Sequence, residues 1–227
     1  MKLLNTTNYK TIKGEKLGIM TGVLYLAPAK LSGYEVCPMR SLGCTDSCLN
    51  TAGMGAFSNV QAGRIAKTKR FFEDRDGFMA DLRKDIQSLI RKAKKANMVP
   101  AVRLNGTSDI NWMVTGIMAE FPDIQFYDYT KVVNRLEKNI PSNYHLTFSR
   151  SECNDSECMK ALKLGYNVAA VFSTKKGEPL PATWNGYPVL DGDETDVRFL
   201  DAKGGYVVGL RAKGKAKKDQ NNFVINS

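Results

Sequence analysis

Residues 99–120 read Val99-Pro-Ala-Val-Arg-Leu-Asn-Gly-Thr-Ser-Asp-Ile-Asn-Trp-Met-Val-Thr-Gly-Ile-Met-Ala-Glu120, and they divide into three parts. The run over 99–104 predicts a strand. Asn105-Gly-Thr-Ser-Asp109 is a polar turn, and Ser108 or Asp109 can cap a helix over 110–120. The same strand, turn and helix recur: a strand at 124–129 is followed by Thr130, Lys131 and a helix to Lys138, and a strand at 144–149 by a helix over 155–164 and a strand at 167–172. This alternation predicts an α/β fold built on a parallel sheet or barrel. Upstream, residues 78–96 place Phe78, Leu82, Ile86, Leu89, Ile90 and Ala93 on one helical stripe, with Arg83, Lys84, Arg91 and Lys94 facing away. A last strand is expected at 206–210, after a turn-rich stretch that contains Asn185-Gly186.

The first clear strand, 22–27, leads into a long loop over 28–55 that carries Cys37, Cys44 and Cys48. Long loops within compact domains tend to be functional. Six residues separate the first pair of cysteines and three the second, so the thiolates can converge on one centre. Three Cys ligands on a 4Fe-4S cluster leave one iron open to an external ligand, and Cys is the soft donor such clusters use. Zinc is the alternative metal, completed by Cys153, Cys158 or His145, although the cysteine-two-residue-cysteine knuckle is absent. In a third reading the cysteines are small buried hydrophobes. Cys153 and Cys158 read as structural and His145 as a core or edge histidine.

The chain has 227 residues, 43% hydrophobic and 25% charged, which suits a single domain with a substantial core. No window holds the roughly 18 apolar residues of a membrane helix, and the N-terminus lacks the apolar core of a secretory signal. Five cysteines without such a signal argue against a disulfide framework. The expected location is therefore the cytoplasm, with no membrane association. A net charge of +10 would attract phosphates, nucleic acid, a nucleotide or an acidic partner. The basic run Arg211, Lys213, Lys215, Lys217 and Lys218, in a segment 213–222 that reads as loose, could hold phosphates or simply be solvated. Asp191, Asp193, Glu194 and Asp196 carry oxygen donors suited to magnesium or calcium, but a solvated turn is the simpler reading.

Ligands of parallel sheets and barrels sit at the carboxyl ends of the strands. By that rule Asp109, Asp128, Lys131, Arg150 and Glu152 are candidate catalytic residues, each equally readable as a helix cap or surface charge.

The strand and helix alternation, with three cysteines after the first strand, resembles the radical S-adenosylmethionine superfamily. That resemblance implies a partial (β/α) barrel, a 4Fe-4S cluster on Cys37, Cys44 and Cys48, and S-adenosylmethionine as cofactor. It would give Asn105, Gly106 and Thr107 the cofactor-binding role of the second strand end, with Ser149 contributing from a later one. The cysteine spacing departs from the superfamily's usual three and two residues. Cys-Leu-Asn-Thr-Ala-Gly at 48–53, Arg-Leu-Asn-Gly-Thr-Ser-Asp at 103–109, Phe-Tyr-Asp-Tyr-Thr-Lys at 126–131, Thr-Phe-Ser-Arg-Ser-Glu at 147–152 and Gly-Leu-Arg-Ala-Lys-Gly at 209–214 resemble an uncharacterised phage-encoded family. This second resemblance spans nearly the whole chain and implies the host cell cytoplasm. The expected function is a radical S-adenosylmethionine-like iron-sulfur enzyme acting on a nucleic acid, nucleotide or peptide. The alternatives are a metal-stabilised nucleic-acid-binding protein without catalysis and a modulator of a host protein.

Overall fold

The computed structural model describes residues 1–7 and 9–227, the side chains of 9–11 excepted. In chain order the elements are β1 (Leu4–Asn5), α1 (Tyr9–Glu15), β2 (Ile19–Leu24), α2 (Leu42–Asp46), α3 (Ser58–Glu73), α4 (Arg75–Lys95), β3 (Val99–Arg103), α5 (Ile117–Glu120), β4 (Gln125–Thr130), β5 (Tyr144–Ser149), α6 (Asp155–Lys163), β6 (Val168–Phe172), β7 (Thr183–Trp184), β8 (Tyr187–Asp191), β9 (Val207–Arg211) and β10 (Val224–Ile225). Together they make a mixed α/β fold around one ten-stranded sheet.

Strands β2 to β6 lie side by side in sequence order, all parallel, and β9 and β8 continue the parallel array. Antiparallel β1 and β7 flank β2 and β8 at the two ends. Those ends do not pair with each other, so the sheet is open. The α/β class and parallel order agree with the sequence reading.

Between β5 and β6 the sheet parts. Only Phe148 and Ser149 of β5 pair with β6, at Val168 and Ala169. Beyond them β10 lies parallel to β6, pairing Val224 with Val171 and Ile225 with Phe172. The C-terminus is therefore built into the carboxyl end of the sheet. The segment 213–222 that precedes it contains a 3-10 turn at Gly214–Lys218.

Side chains alternate across a strand, which gives the sheet two unlike faces. Even-numbered residues of β2 to β5 and the loops that follow them, among them Leu24, Leu26, Val102, Leu104, Phe126, Leu146 and Phe148, join Phe71 of α3 and Phe78, Leu82, Ile86 and Leu89 of α4 in the main core. The stripe read from the sequence of α4 is this buried face. Odd-numbered residues face the other way. Near the strand starts Ile19, Ala101 and Tyr127 pack with Val197 and Phe199; further along, Arg103 stacks over the Tyr129 ring at 4.6 Å.

Two expected helices are shorter than the sequence suggests. The helix over 110–120 is a 3-10 turn at Trp112–Thr115 followed by α5, because Gly116 takes a left-handed φ of 73° between them. Its cap is Asn111, whose side chain accepts from the Met113 amide; Asp109 is engaged elsewhere. After Lys131 only a 3-10 turn forms, Val133–Arg135. Arg135 is buried there, its guanidinium reaching back to Asp109 at 2.5 Å.

Candidate functional site

The loops after β2, β3, β4 and β5 meet at the carboxyl end of the sheet. Cys37 accepts a hydrogen bond from the Ala29 amide at 3.5 Å and donates to the Thr107 carbonyl at 3.8 Å. The β2 and β3 loops are thereby tied together, and Thr107 adds a second tie by donating its hydroxyl to Leu26 O at 2.6 Å. Cys44 lies in α2, whose N-cap Ser41 accepts from the Cys44 amide at 3.1 Å. Cys48 ends that segment and precedes a 3-10 turn at Leu49–Thr51.

The three thiols are electrostatic neighbours. Burial first, then the nearby Cys48 and Cys44, push the Cys37 thiol up to about 12 against the lowering effect of the Ala29 amide. Cys48 is likewise raised, by burial first and also by Cys44, while Arg64 and Lys131 act against the shift. All three cysteines are partly buried and free. Among the described residues no group of three or more His, Cys, Asp or Glu side chains converges closely enough to hold a single metal ion. Cys153 is exposed, and Cys158 is buried beside Asn154 Oδ1 at 3.5 Å.

The candidate residues from the strand ends hold this loop cluster in shape. Asp109 accepts from the Lys131 amide at 2.8 Å and from Arg135, clamping the β3 loop to the β4 loop. Lys131 Nζ donates to Ser149 Oγ at 2.7 Å and to the carbonyls of Ser149 and Arg150. Arg150, buried, donates to the carbonyls of Asn222 and Phe223 at 2.7 and 2.9 Å and pairs with Asp155. Glu152 takes the Ser41 hydroxyl and the Gly43 amide, each at 2.7 Å, so a residue from the β5 loop caps the helix that carries Cys44. Asn105 Oδ1 receives Ser108, the Ile110 amide and Trp112 Nε1, which builds its own turn. Gly106 approaches so closely that an added Cβ would lie 2.6 Å from Leu24 O.

Asp128 lies on the helix side of the sheet. Fully buried, it accepts from the Asn105 amide at 2.6 Å and from Tyr144 Oη at 3.0 Å. Burial lifts its carboxyl to about 7, against the lowering effect of those donors and of Arg103. His145 is lowered to about 4, by burial and then by Lys203 and Arg198.

Beside the cysteine loop opens a cavity of about 1880 Å³. Leu49, Met54 and Gly55 wall it from the segment just after Cys48, Gly63, Arg64 and Lys67 from α3, and Tyr25, Arg103 and Gly106 from the sheet. Arg64 lies over the Tyr25 ring at 4.9 Å and donates to Asn50 Oδ1. Arg103 pairs with Asp196 at 2.7 Å. Of the acidic run, Asp191 and Asp193 pair with Arg211, and Asp193 also with Lys213. These carboxylates neutralise protein cations. Sequence reasoning missed Tyr25, Arg64, Lys67 and Arg103; the one visible signal was Arg103, a charge inside an otherwise apolar strand run.

The family model for gene product 88 matches residues 2–227. The chain belongs to the gene product 88 family. This bears out the resemblance to a phage-encoded family and lends no support to the resemblance to the radical S-adenosylmethionine superfamily. No curated protein and no solved structure matches the chain. Among the described residues of this gene product 88 protein, no helix is long and apolar enough to cross a membrane.

Proposed function

We propose that the chain is an iron-sulfur protein in which Cys37, Cys44 and Cys48 hold a 4Fe-4S cluster, and that it uses the cluster enzymatically on a molecule bound in the adjoining cavity. The observation that carries this reading is that the three thiols lie within electrostatic reach of one another at the carboxyl end of a sequentially ordered parallel sheet. Zinc fits less well. A single ion about 2.3 Å from each sulfur draws its thiolates close together, whereas this trio does not converge on an ion-sized point. A larger cluster accepts wider spacing.

The donor set also suits an anionic centre. The Ala29 amide points at Cys37 Sγ, and Arg64 and Lys131 bring positive charge to Cys48; amide hydrogen bonds and charge are the usual protein controls on such clusters. When bound through three thiolates, the cluster would supply an open iron and an electron for reductive cleavage of S-adenosylmethionine, on a barrel-like arrangement of β2 to β6. The chain's own part is positional. Glu152 fixes the Cys44 helix, the Cys37 to Thr107 contact fixes the first loop against the β3 loop, and Lys131 and Arg150 lock the β5 end beneath them.

The test is anaerobic purification with iron, sulfide and zinc quantified on the same sample. About four irons with matching sulfide per chain, lost in a Cys44→Ser variant and kept in Cys153→Ser, is the expected result. Reductant-dependent cleavage of S-adenosylmethionine should follow the iron. Stoichiometric zinc, or no metal after reconstitution, overturns the reading.

A further inference from the structure

We infer that the cavity beside the cysteine loop binds a phosphate-bearing small molecule of nucleotide size, with Arg64 and Lys67 as its anion-binding pole. The inference deepens the proposed function by naming a substrate class, and it rests on that reading only for what happens after binding. Its basis is an imbalance of charge within the cavity wall. On one side Arg103, Arg211 and Lys213 are each matched by a carboxylate: Asp196, Asp191 or Asp193. On the α3 side they are not.

Arg64 is only 9% exposed, yet among the described residues it has no carboxylate within ion-pair distance. It gives one hydrogen bond to Asn50, and its Nε, buried, has no acceptor. Lys67, one helical turn on, donates among the described residues to the Leu3 carbonyl at 2.9 Å. A buried cation without an ion-pair partner is costly; Arg64 is one, and Lys67, half-buried and with Asp85 only at longer range, adds a second positive charge one turn on. A phosphate monoester brings about −1.5 to −2 at neutral pH with several acceptor oxygens, where one carboxylate brings a single charge. The planar guanidinium is suited to paired phosphate oxygens.

Access and size agree. Gly63, on the same helix and next to Arg64, lines the cavity, and an added Cβ there would meet nothing within 4 Å. Small-molecule sites commonly measure about 300 to 1,000 Å³, so the cavity of about 1880 Å³ has room for an organic phosphate and a cofactor together.

The experiment is calorimetric titration of the full chain as purified with pyrophosphate, AMP and ATP, against adenosine and citrate, with iron and sulfide assayed on the same samples. The phosphates should bind in the micromolar to submillimolar range, and adenosine and citrate at least about tenfold more weakly. Arg64→Gln should weaken phosphate binding about tenfold or more. Gly63→Leu should do the same with an unchanged or higher melting temperature, because it replaces a helix-interior glycine. Three outcomes overturn the inference: no phosphate compound binding at millimolar concentration, citrate or adenosine matching AMP, or binding that Gly63→Leu leaves intact. Binding without iron would sink the cluster and leave this inference standing, and the reverse result would separate them the other way.

Discussion

The carboxylate of Glu152 accepts the backbone amide of Gly43 at 2.7 Å across 109 positions of sequence. The same carboxylate takes the Ser41 hydroxyl, and Ser41 in turn receives the Cys44 amide. The position of Cys44 is thus set by the loop that follows β5. Glu152→Ala should therefore destabilise the fold by about 2 kcal/mol, the size expected for two hydrogen bonds to a charged acceptor in a part-buried place. Loading of the proposed cluster should fall more steeply than stability. Glu152→Gln, which keeps one acceptor, should recover part of both; thermal denaturation and iron content of the two variants check this.

Asp128 gives the fold a pH dependence of known sign. Its folded carboxyl titrates near 7, above the ordinary 3.8, so between those values the folded state holds a proton that the unfolded chain has released. Its stabilising contribution is complete below about pH 4 and is lost as pH rises through about 7. Asp128→Asn can still accept from the Asn105 amide and meet Tyr144. The variant should show a flatter stability profile across this window and gain about 1 to 3 kcal/mol over the parent at pH 8. Urea denaturation from pH 4 to pH 8 measures it, and a variant that parallels the parent would contradict the assignment.

How much of this could be read from the chain depends on the range of the interaction. The strand β5 follows from Tyr144-His-Leu-Thr-Phe-Ser149 alone, because alternation and aromatic content are local. The apolar face of α4 is equally plain in its spacing. The gathering of the cysteines at a strand end was legible because all three lie in one loop. What escaped the sequence lies in pairings between distant segments. Asp109 looks like a helix cap until Arg135 is placed beside it, and Arg64 looks like a surface charge until α3 is laid along Tyr25. The two-residue strands β1 and β10 are set by their partners rather than by their own composition.

Arg150 holds the C-terminal strand. Its guanidinium caps the Asn222 and Phe223 carbonyls just ahead of β10, where β5 has left β6 uncovered. Arg150→Met keeps the packing volume of the stem but leaves both carbonyls without that donor, at a cost of about 3 kcal/mol. The loss should be local before it is global. Hydrogen exchange at the Val224 amide, which donates to Asp219, should speed up by at least about tenfold, while the Leu146 and Phe148 amides of β5 keep their protection.

Two glycines bordering the cavity should respond to alanine in opposite ways. At Gly106 the new methyl would sit 2.6 Å from both Leu24 O and the Tyr25 ring, and the backbone cannot retreat without breaking the Gly106 amide bond to Leu24 O at 2.9 Å. Overpacking of this kind costs about 3 kcal/mol. At Gly63 the methyl meets nothing within 4 Å, and an alanine inside α3 should instead stabilise by up to about 1 kcal/mol. Equilibrium urea unfolding of the two variants checks both signs. If Gly106→Ala were neutral, the β3 loop would not approach β2 as closely as the Leu24 contact requires, and the meeting of the Thr107 carbonyl with the Cys37 thiol would be set some other way.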